Sequence, residues 1–370
     1  MIERVPLSPT CGIPPDSANI IITFMRRLFP IGAAIAIAVL DPCLASAVPK
    51  VHLLATGGTI AGGSGGALGA GDLASLVSGL ASVAEVSVED YSNIGSSRMT
   101  PELQFRLAQR VRSLFQERSD LAGIVITHGT DSLEETAFLL DLVVPAGKPV
   151  VFAAAQRPPR ESDTDGPRNL LNAIRIAALA GTRELGVLVT LNDEIHAARD
   201  VRKTHAVALN AFVSPWAGLI GQVDSGRVYL YHRPARTLTI ETPGVEPRVD
   251  LVTLYAGSDG SAIRQAAAAG ARGIVVEVFG RGNLPPEAMQ AVAEAREKGV
   301  VVAFSTRTGG GRVELGEDAK SAGVLSAEDL DGLKARIVLV LALGAGADDA
   351  RISSYFRRLS GELDVSVDSN

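Results

Sequence analysis

Cysteine is nearly missing from this 370-residue chain, and its two copies, Cys11 and Cys43, both fall within the first 43 positions. Basic surplus is missing as well. The formal charge is -6 and the pI near 5.5, which leaves nothing to grip a phosphate backbone and excludes a nucleic-acid-binding role. Histidines 52, 128, 196, 205 and 232 form no H-E-x-x-H and no cluster with carboxylates, so no metal site is expected. Ser162 and Ser214 stand in no G-x-S-x-G elbow, which argues against the α/β-hydrolase arrangement at either. Aromatic residues make up 4%, and the single tryptophan, Trp216 in SPWAG, reads as packing. No internal repeat is visible. With 46% apolar and 21% charged residues the chain is globular, long enough for two domains.

No apolar run reaches the roughly 20 residues of a membrane-spanning helix. What stands near the start is shorter. Met25-Arg26-Arg27 precedes an apolar run from Leu28 to Leu40, and Ala45-Ser46-Ala47 follows. A positive segment, a short apolar core and an A-x-A site describe a cleavable secretory signal, so residues 1–47 are expected to be removed on export. Residues 1–24 lack this pattern and read either as an upstream start or as a long n-region. The mature chain from Val48 has no thiol, which suits an oxidising compartment. A periplasmic location is the expectation, with no membrane attachment after cleavage.

Beyond Val48, short apolar runs alternate with helical patterns. VHLLAT (51–56), AGIVIT (122–127), VVFAAA (150–155) and GVLVTL (186–191) read as buried strands. Thr100-Pro101 followed by Leu103, Leu107, Val111 and Leu114 predicts a capped helix with one apolar stripe. Further helices are predicted from about Ser132 and over 167–180. After an apparent linker at 237–249, strands at 251–256, 273–279 and 299–304 and a helix over 327–343 form a second unit. The fold class is α/β: a larger N-terminal, mostly parallel sheet flanked by helices (48–236) and a smaller C-terminal α/β domain (250–370).

Ligands of open parallel sheets bind beyond the carboxyl ends of the strands. After the first strand comes Thr56-Gly57-Gly58-Thr59-Ile60-Ala61-Gly62-Gly63, a glycine turn that carries a hydroxyl but matches no phosphate-loop spacing. Eight of the fifteen residues from Gly57 to Gly71 are glycine, the composition of a mobile lid or of an undecorated surface loop. After Ile126 comes Thr127-His128-Gly129-Thr130-Asp131-Ser132, a hydroxyl and a carboxylate side by side at a strand-to-helix turn. Asp131-Ser132, with Glu134 and Glu135 behind them, also read as a helix N-cap with an acidic first turn.

ATGGTIAGG together with ITHGTDSLEETAFLLDL closely resembles the two signature segments of the bacterial L-asparaginase family. NIGSSRM (93–99), AAQRP (154–158), DGPRNLLNA (165–173), LNDEIHAARDVRKT (191–204) and GRGN (280–283) match in order, and with the export signal the chain is similar to the type II, periplasmic branch. The resemblance implies hydrolysis of L-asparagine to L-aspartate and ammonia without a cofactor. It makes Thr59 the nucleophile that forms an acyl-enzyme, and Thr130, Asp131 and Lys203 a second catalytic group. It also implies substrate binding by Gly58, Ser96, Ser97, Gly129, Asp131 and Asn283, with Asp131 on the α-ammonium and Ser96 on the α-carboxylate. Asn283 implies a subunit boundary, hence a homotetramer built of close dimers. A lone lysine is ordinarily a solvated surface charge; the match of ARDVRKT is what makes Lys203 a site residue.

Two positions depart from the family pattern. Residues 61–76 contain no tyrosine, whereas the family's lid carries one that assists the attacking threonine; the nearest here is Tyr91. Ser97 stands where the periplasmic enzymes have a glutamine, two carbons longer. The family's acidic residue from a neighbouring chain has Glu314 and Glu317 as candidates. Rival readings are a glutaminase-asparaginase of broader specificity, and an amino-acid-binding protein with decayed catalysis. A tRNA-dependent amidotransferase subunit is disfavoured by the signal and the acidic charge.

Overall fold

Apolar runs bounded by glycine and proline do become the central strands. The computed structural model describes residues 48–62, 68–234 and 238–362. The expected signal at 1–47 and the middle of the glycine-rich loop, 63–67, lie outside the described residues, as do both cysteines.

The larger sheet begins with β1 (Lys50–Ala55), β2 (Glu85–Asp90), β3 (Leu121–Thr127), β4 (Val150–Ala153) and β5 (Val187–Leu191), all parallel. It continues antiparallel through β6 (Glu194–Ala197), β9 (Gly221–Asp224) and β10 (Arg227–Leu230), in the order β10-β9-β6-β5-β4-β3-β1-β2. A separate ribbon pairs β7 (Arg202–Lys203) with β8 (Phe212–Val213). The smaller sheet is fully parallel: β11 (Val249–Thr253), β12 (Gly273–Val278), β13 (Val301–Thr306) and β14 (Leu325–Ser326).

Helices cover both faces of the larger sheet. The short α1 (Ala70–Ser75) packs near β1 and β2. On one face lie α2 (Pro101–Glu117) and α3 (Leu133–Val143), burying Leu107, Val111, Phe138 and Leu142 against Leu54, Ile124 and Ile126. Thr100 caps α2 by accepting from the Leu103 N–H, as the Thr-Pro pair predicts. On the other face α4 (Gly166–Ala178) buries Leu170, Ala173 and Ile174 against Val51, Leu53 and Val125. Alternate residues of a strand face opposite sides, so β1 and β3 each serve two cores. In the smaller unit α5 (Ser261–Ala268) and α6 (Pro286–Glu297) cover one face, and a short α7 (Glu317–Ser321) follows β13.

The helix that joins the two sheets is α8 (Gly332–Gly344), buried without interruption from Ala335 through Ala342 except at Arg336. Its residues share one core with α3 on one side and with Val249, Val275 and Ala303 of the smaller sheet on the other. The chain ends its described part in α9 (Asp349–Leu359).

Several expectations needed adjustment. The stretch read as a linker is anchored: Leu238 and Ile240 are buried, the Ile240 N–H donates to Leu142 O of α3, and the Glu246 N–H donates to Val340 O of α8. Its polar, proline-containing sequence hid two core residues. The larger sheet's antiparallel extension through β6, β9 and β10 and its edge strand β2 were also absent from the sequence reading. β2 and β10 are partly exposed, and so carry no continuous apolar run.

Because Ile240 is fully buried, Ile240→Ala is expected to cost about 2–4 kcal/mol of stability in urea unfolding. A loss below about 0.5 kcal/mol, the usual effect at an exposed linker, would show that this segment does not belong to the core.

Candidate active site

Three loops leave the same end of three adjacent strands. In register, Ala55 of β1 lies between Asp90 of β2 and Thr127 of β3. The chain runs from β1 to β2 on one side and then to β3 on the other, so the crevice beyond β1 is a topological switch point. Thr59, Ser96 and Thr130 follow these strand ends within a few residues.

Glycine lets the loops meet. Gly57 and Gly58 have φ of 104° and 88°, which disfavours any residue with a side chain. A Cβ at Gly58 would lie 2.4 Å from both N and Cα of Gly129, and a Cβ at Gly129 would lie 2.5 Å from Ser96 Oγ. Hydrogen bonds then lock the second and third loops together: the Asp131 N–H donates to Ser96 Oγ (3.1 Å), and Ser132 Oγ donates to Ser96 O (2.7 Å). Ser132 does occupy the N-cap position of α3. Its hydroxyl is spent on Ser96 rather than on its own helix, which corrects the simple capping reading.

The result is a cleft of about 530 Å³ lined by Gly58, Thr59, Asn93, Gly95, Ser96, Ser97, Arg98, Gly129 and Asp131. Its size suits a small amino acid. Ser96 is buried, while Ser97 and Asp131 are exposed at the opening. Thr130 is buried behind Gly129, and its Oγ1 receives a hydrogen bond from Lys203 Nζ at 2.9 Å. Asp131 Oδ1 lies 3.5 Å from the same ammonium, with the lysine side chain 17% and the aspartate 61% exposed. Lys203 is thus no solvated surface charge. Its backbone N–H donates to Glu134 Oε2 (3.3 Å), and burial pushes the Glu134 carboxyl above its ordinary range against the opposing charges of Lys334 and Arg202.

The structure therefore brings Gly58, Thr59, Ser96, Ser97, Gly129, Thr130, Asp131 and Lys203 together. Asn283 is not among them. It is exposed in the smaller unit, pairs its backbone with Phe279, and follows Gly282, which abuts the Glu314 backbone. Glu317 pairs with Lys320 at the start of α7. Asn93 and Arg98 line the cleft without having been singled out in the sequence. Tyr91 is half-buried at the end of β2, its N–H bonded to Ala55 O, and does not line the cleft.

A second array, Ser214, His196 and Glu194, mimics a catalytic triad: His196 Nδ1 lies 2.9 Å from Ser214 Oγ and Nε2 3.3 Å from Glu194. With His196 fully buried and Ser214 6% exposed, no substrate reaches it. Among the described residues no group of three or more metal-ligating side chains could hold an ion.

Comparison with known proteins follows the same division of the chain. The family model described as "Asparaginase, N-terminal" matches residues 50–236, and that described as "Glutaminase/Asparaginase C-terminal domain" matches 248–356. L-asparaginase 2 of Bacillus subtilis (strain 168) is 37% identical over 326 residues, covering 84% of this chain and 86% of that protein. The glutaminase-asparaginase of Pseudomonas fluorescens biotype A is 36% identical over 327 residues, covering 83% and 90%. The crystal structure of a probable cytoplasmic L-asparaginase from Campylobacter jejuni superposes with a TM-score of 0.79 at 35% identity, covering 84% of this chain and 99% of that one.

His128 sits beneath the cleft and sets a pH limit. Its Nδ1–H donates to Gly129 O (2.7 Å), its Nε2 has no partner, and burial pushes the imidazole from 6.5 down to about 4. The folded state keeps this ring neutral where the unfolded chain would protonate it. Stability is therefore fully present above pH 6.5, is lost as pH falls toward 4, and suffers no further loss from this group below that. The loss is expected to be about 3 kcal/mol. Urea unfolding at about pH 7.5 and about pH 4.5 should show a smaller difference in His128→Asn than in the parent, and an unchanged difference would refute the assignment.

Proposed function

The chain belongs to the bacterial type II L-asparaginase family and is an asparagine-hydrolysing enzyme, and on that premise we propose that Thr59 is its nucleophile and that Lys203, through Thr130, is its proton acceptor. The observation that carries this reading is the 2.9 Å bond from Lys203 Nζ to Thr130 Oγ1, one residue beyond a cleft that Thr59 lines.

A threonine hydroxyl attacks an amide only if its proton is taken as the bond forms. Thr59 Oγ adds to the side-chain carboxamide carbon of asparagine, and its proton passes to the Thr130–Lys203 pair. The C–N bond then breaks, the proton leaves with the nitrogen as ammonia, and an aspartyl ester remains on Thr59. Water adds to the ester carbon and releases L-aspartate, returning the hydrogen to Thr59. Neither oxidant nor cofactor enters the balance. Asp131, exposed at the opening, faces the substrate's α-ammonium, and Ser96 the α-carboxylate. Lys203 thus lies between two negative groups, Asp131 and Glu134, which steady its position.

Export is part of the same proposal. It rests on Arg26-Arg27, the apolar run after them and Ala45-Ser46-Ala47. A homotetramer of close dimers is proposed from the resemblance. The exposed placement of Asn283, outside the cleft of its own chain, fits a residue delivered to a neighbour.

Thr59→Ala and Thr130→Ala are each expected to lower ammonia release from asparagine by at least about a thousandfold while leaving cooperative unfolding intact. Either variant retaining the parent rate would overturn the roles; calorimetric binding of asparagine by a parent that releases no ammonia would favour the binding-protein reading instead.

Ser97 lines the opening with a side chain too short to follow a longer substrate. Glutamine is therefore expected to have a kcat/KM several-fold below that of asparagine, and Ser97→Gln to raise glutamine's value by about fivefold, the worth of one added hydrogen bond. Equal constants for the two amides in the parent would sink this specificity reading.

A further inference from the structure

The strand that carries Lys203 is only two residues long. Arg202 and Lys203 pair with Val213 and Phe212, and one further backbone bond, from the Thr204 N–H to Ala211 O at 2.7 Å, extends the ribbon. So short a ribbon supplies little to fix the position of an ammonium to within the fraction of an ångström that proton transfer requires. The anchors come from elsewhere, and two of the three come from the smaller unit.

Lys334, in the first turn of α8, is 2% exposed and the only lysine or arginine in the buried class among the described residues. Its Nζ donates to Val201 O at 2.7 Å and to Asp331 Oδ2 at 3.1 Å. Asp331 caps α8 by accepting from the Lys334 N–H and lies 3.6 Å from Arg202 Nε; Arg202 Nη1 in turn donates to Gly309 O. The third anchor is Glu134, which accepts the Lys203 N–H from the side of α3. Beyond the ribbon's own pairing, Val201 is held by Lys334 at its carbonyl and by Ala197 O at its N–H, Arg202 by Asp331 and Gly309, and Lys203 by Glu134.

We infer that Lys334 is a positioning residue for the proposed base: the C-terminal unit fixes the height of Lys203 over Thr130 through an ammonium that bridges Asp331 and the Val201 carbonyl. This rests on the assignment of Lys203 given above. Stability alone does not account for the arrangement. An apolar side chain in the first turn of a helix so buried would serve packing as well without the desolvation of a charge, and Asp331 can cap α8 without the ammonium. The bond that leaves α8 is the one directed at the base's own strand. Lys334 is also the largest charge opposing the upward push of burial on Glu134, so it supports two of the three anchors.

The test compares Lys334→Met, Asp331→Asn and Lys203→Met in the full-length enzyme, with kcat and KM for asparagine measured well below the thermal transition. Lys334→Met is expected to unfold cooperatively, to lose about 10- to 100-fold in kcat and to change KM by less than about threefold, because the binding cleft is not touched. A purely structural role would leave kcat of the folded enzyme unchanged. Asp331→Asn, which keeps the cap, is expected to lose several-fold in kcat at constant KM, and it decides the matter if Lys334→Met does not fold. A folded Lys334→Met, or failing that a folded Asp331→Asn, with kcat equal to the parent overturns the inference. Lys203→Met separates the two levels: if it is fully active the proposed base is wrong, and if it is inactive while Lys334→Met keeps the parent kcat, only the positioning role fails.

Discussion

Everything in this active site depends on two peptide backbones approaching with no side chain between them. Gly58 and Gly129 touch at a separation that a single methyl group would double-occupy. That contact sets the hydroxyl of the first loop beside the turn that carries the second hydroxyl, the carboxylate and the lysine. It is possible because β1 and β3 are adjacent and parallel, so both loops leave the sheet at one level. The positive φ of Gly58 then aims the following residue into the cleft rather than along the strand.

Charge is distributed with the same economy. The opening holds an exposed carboxylate, the exposed guanidinium of Arg98 and neutral hydroxyls, where water screens and exchange is easy. Lys203, the proposed base, sits one layer down, mostly buried, and behind it lie the buried ammonium of Lys334 and the nearly buried Asp331. Burial works to raise Asp331, but the charges of Lys334 and Arg202 outweigh it and hold the carboxylate below its ordinary range. The deepest layer is therefore paired, and it lies behind the short strand that carries Lys203.

How much of this was legible in the sequence depended on the kind of contact. The central parallel strands announced themselves as apolar runs ending in glycine, and the Thr-Pro start of α2 announced its cap. Thr59, Gly129, Thr130 and Asp131 stand in two signature segments just beyond strand ends, whereas Ser96 and Lys203 are picked out only by the further matches NIGSSRM and ARDVRKT. The antiparallel strands β6, β9 and β10 escaped since they are short and half polar. Leu238 and Ile240 escaped because prolines and a glycine follow them. Lys334 escaped for a deeper reason: in AEDLDGLKARIVLVLAL it looks like any basic residue opening a helix, and only the fold carries its Nζ to a carbonyl 133 residues away in the chain.

The position of α8 between the two sheets has an evolutionary consequence. Its apolar surface finishes the core of the larger unit and of the smaller one at once, and its first turn reaches the strand of the base. The halves that family models distinguish along the chain consequently share one hydrophobic core. A chimera that joined the first half to the second half of a distant relative would have to import α8 and its partners on α3 and β7 together, and drift on either side is answerable to the other.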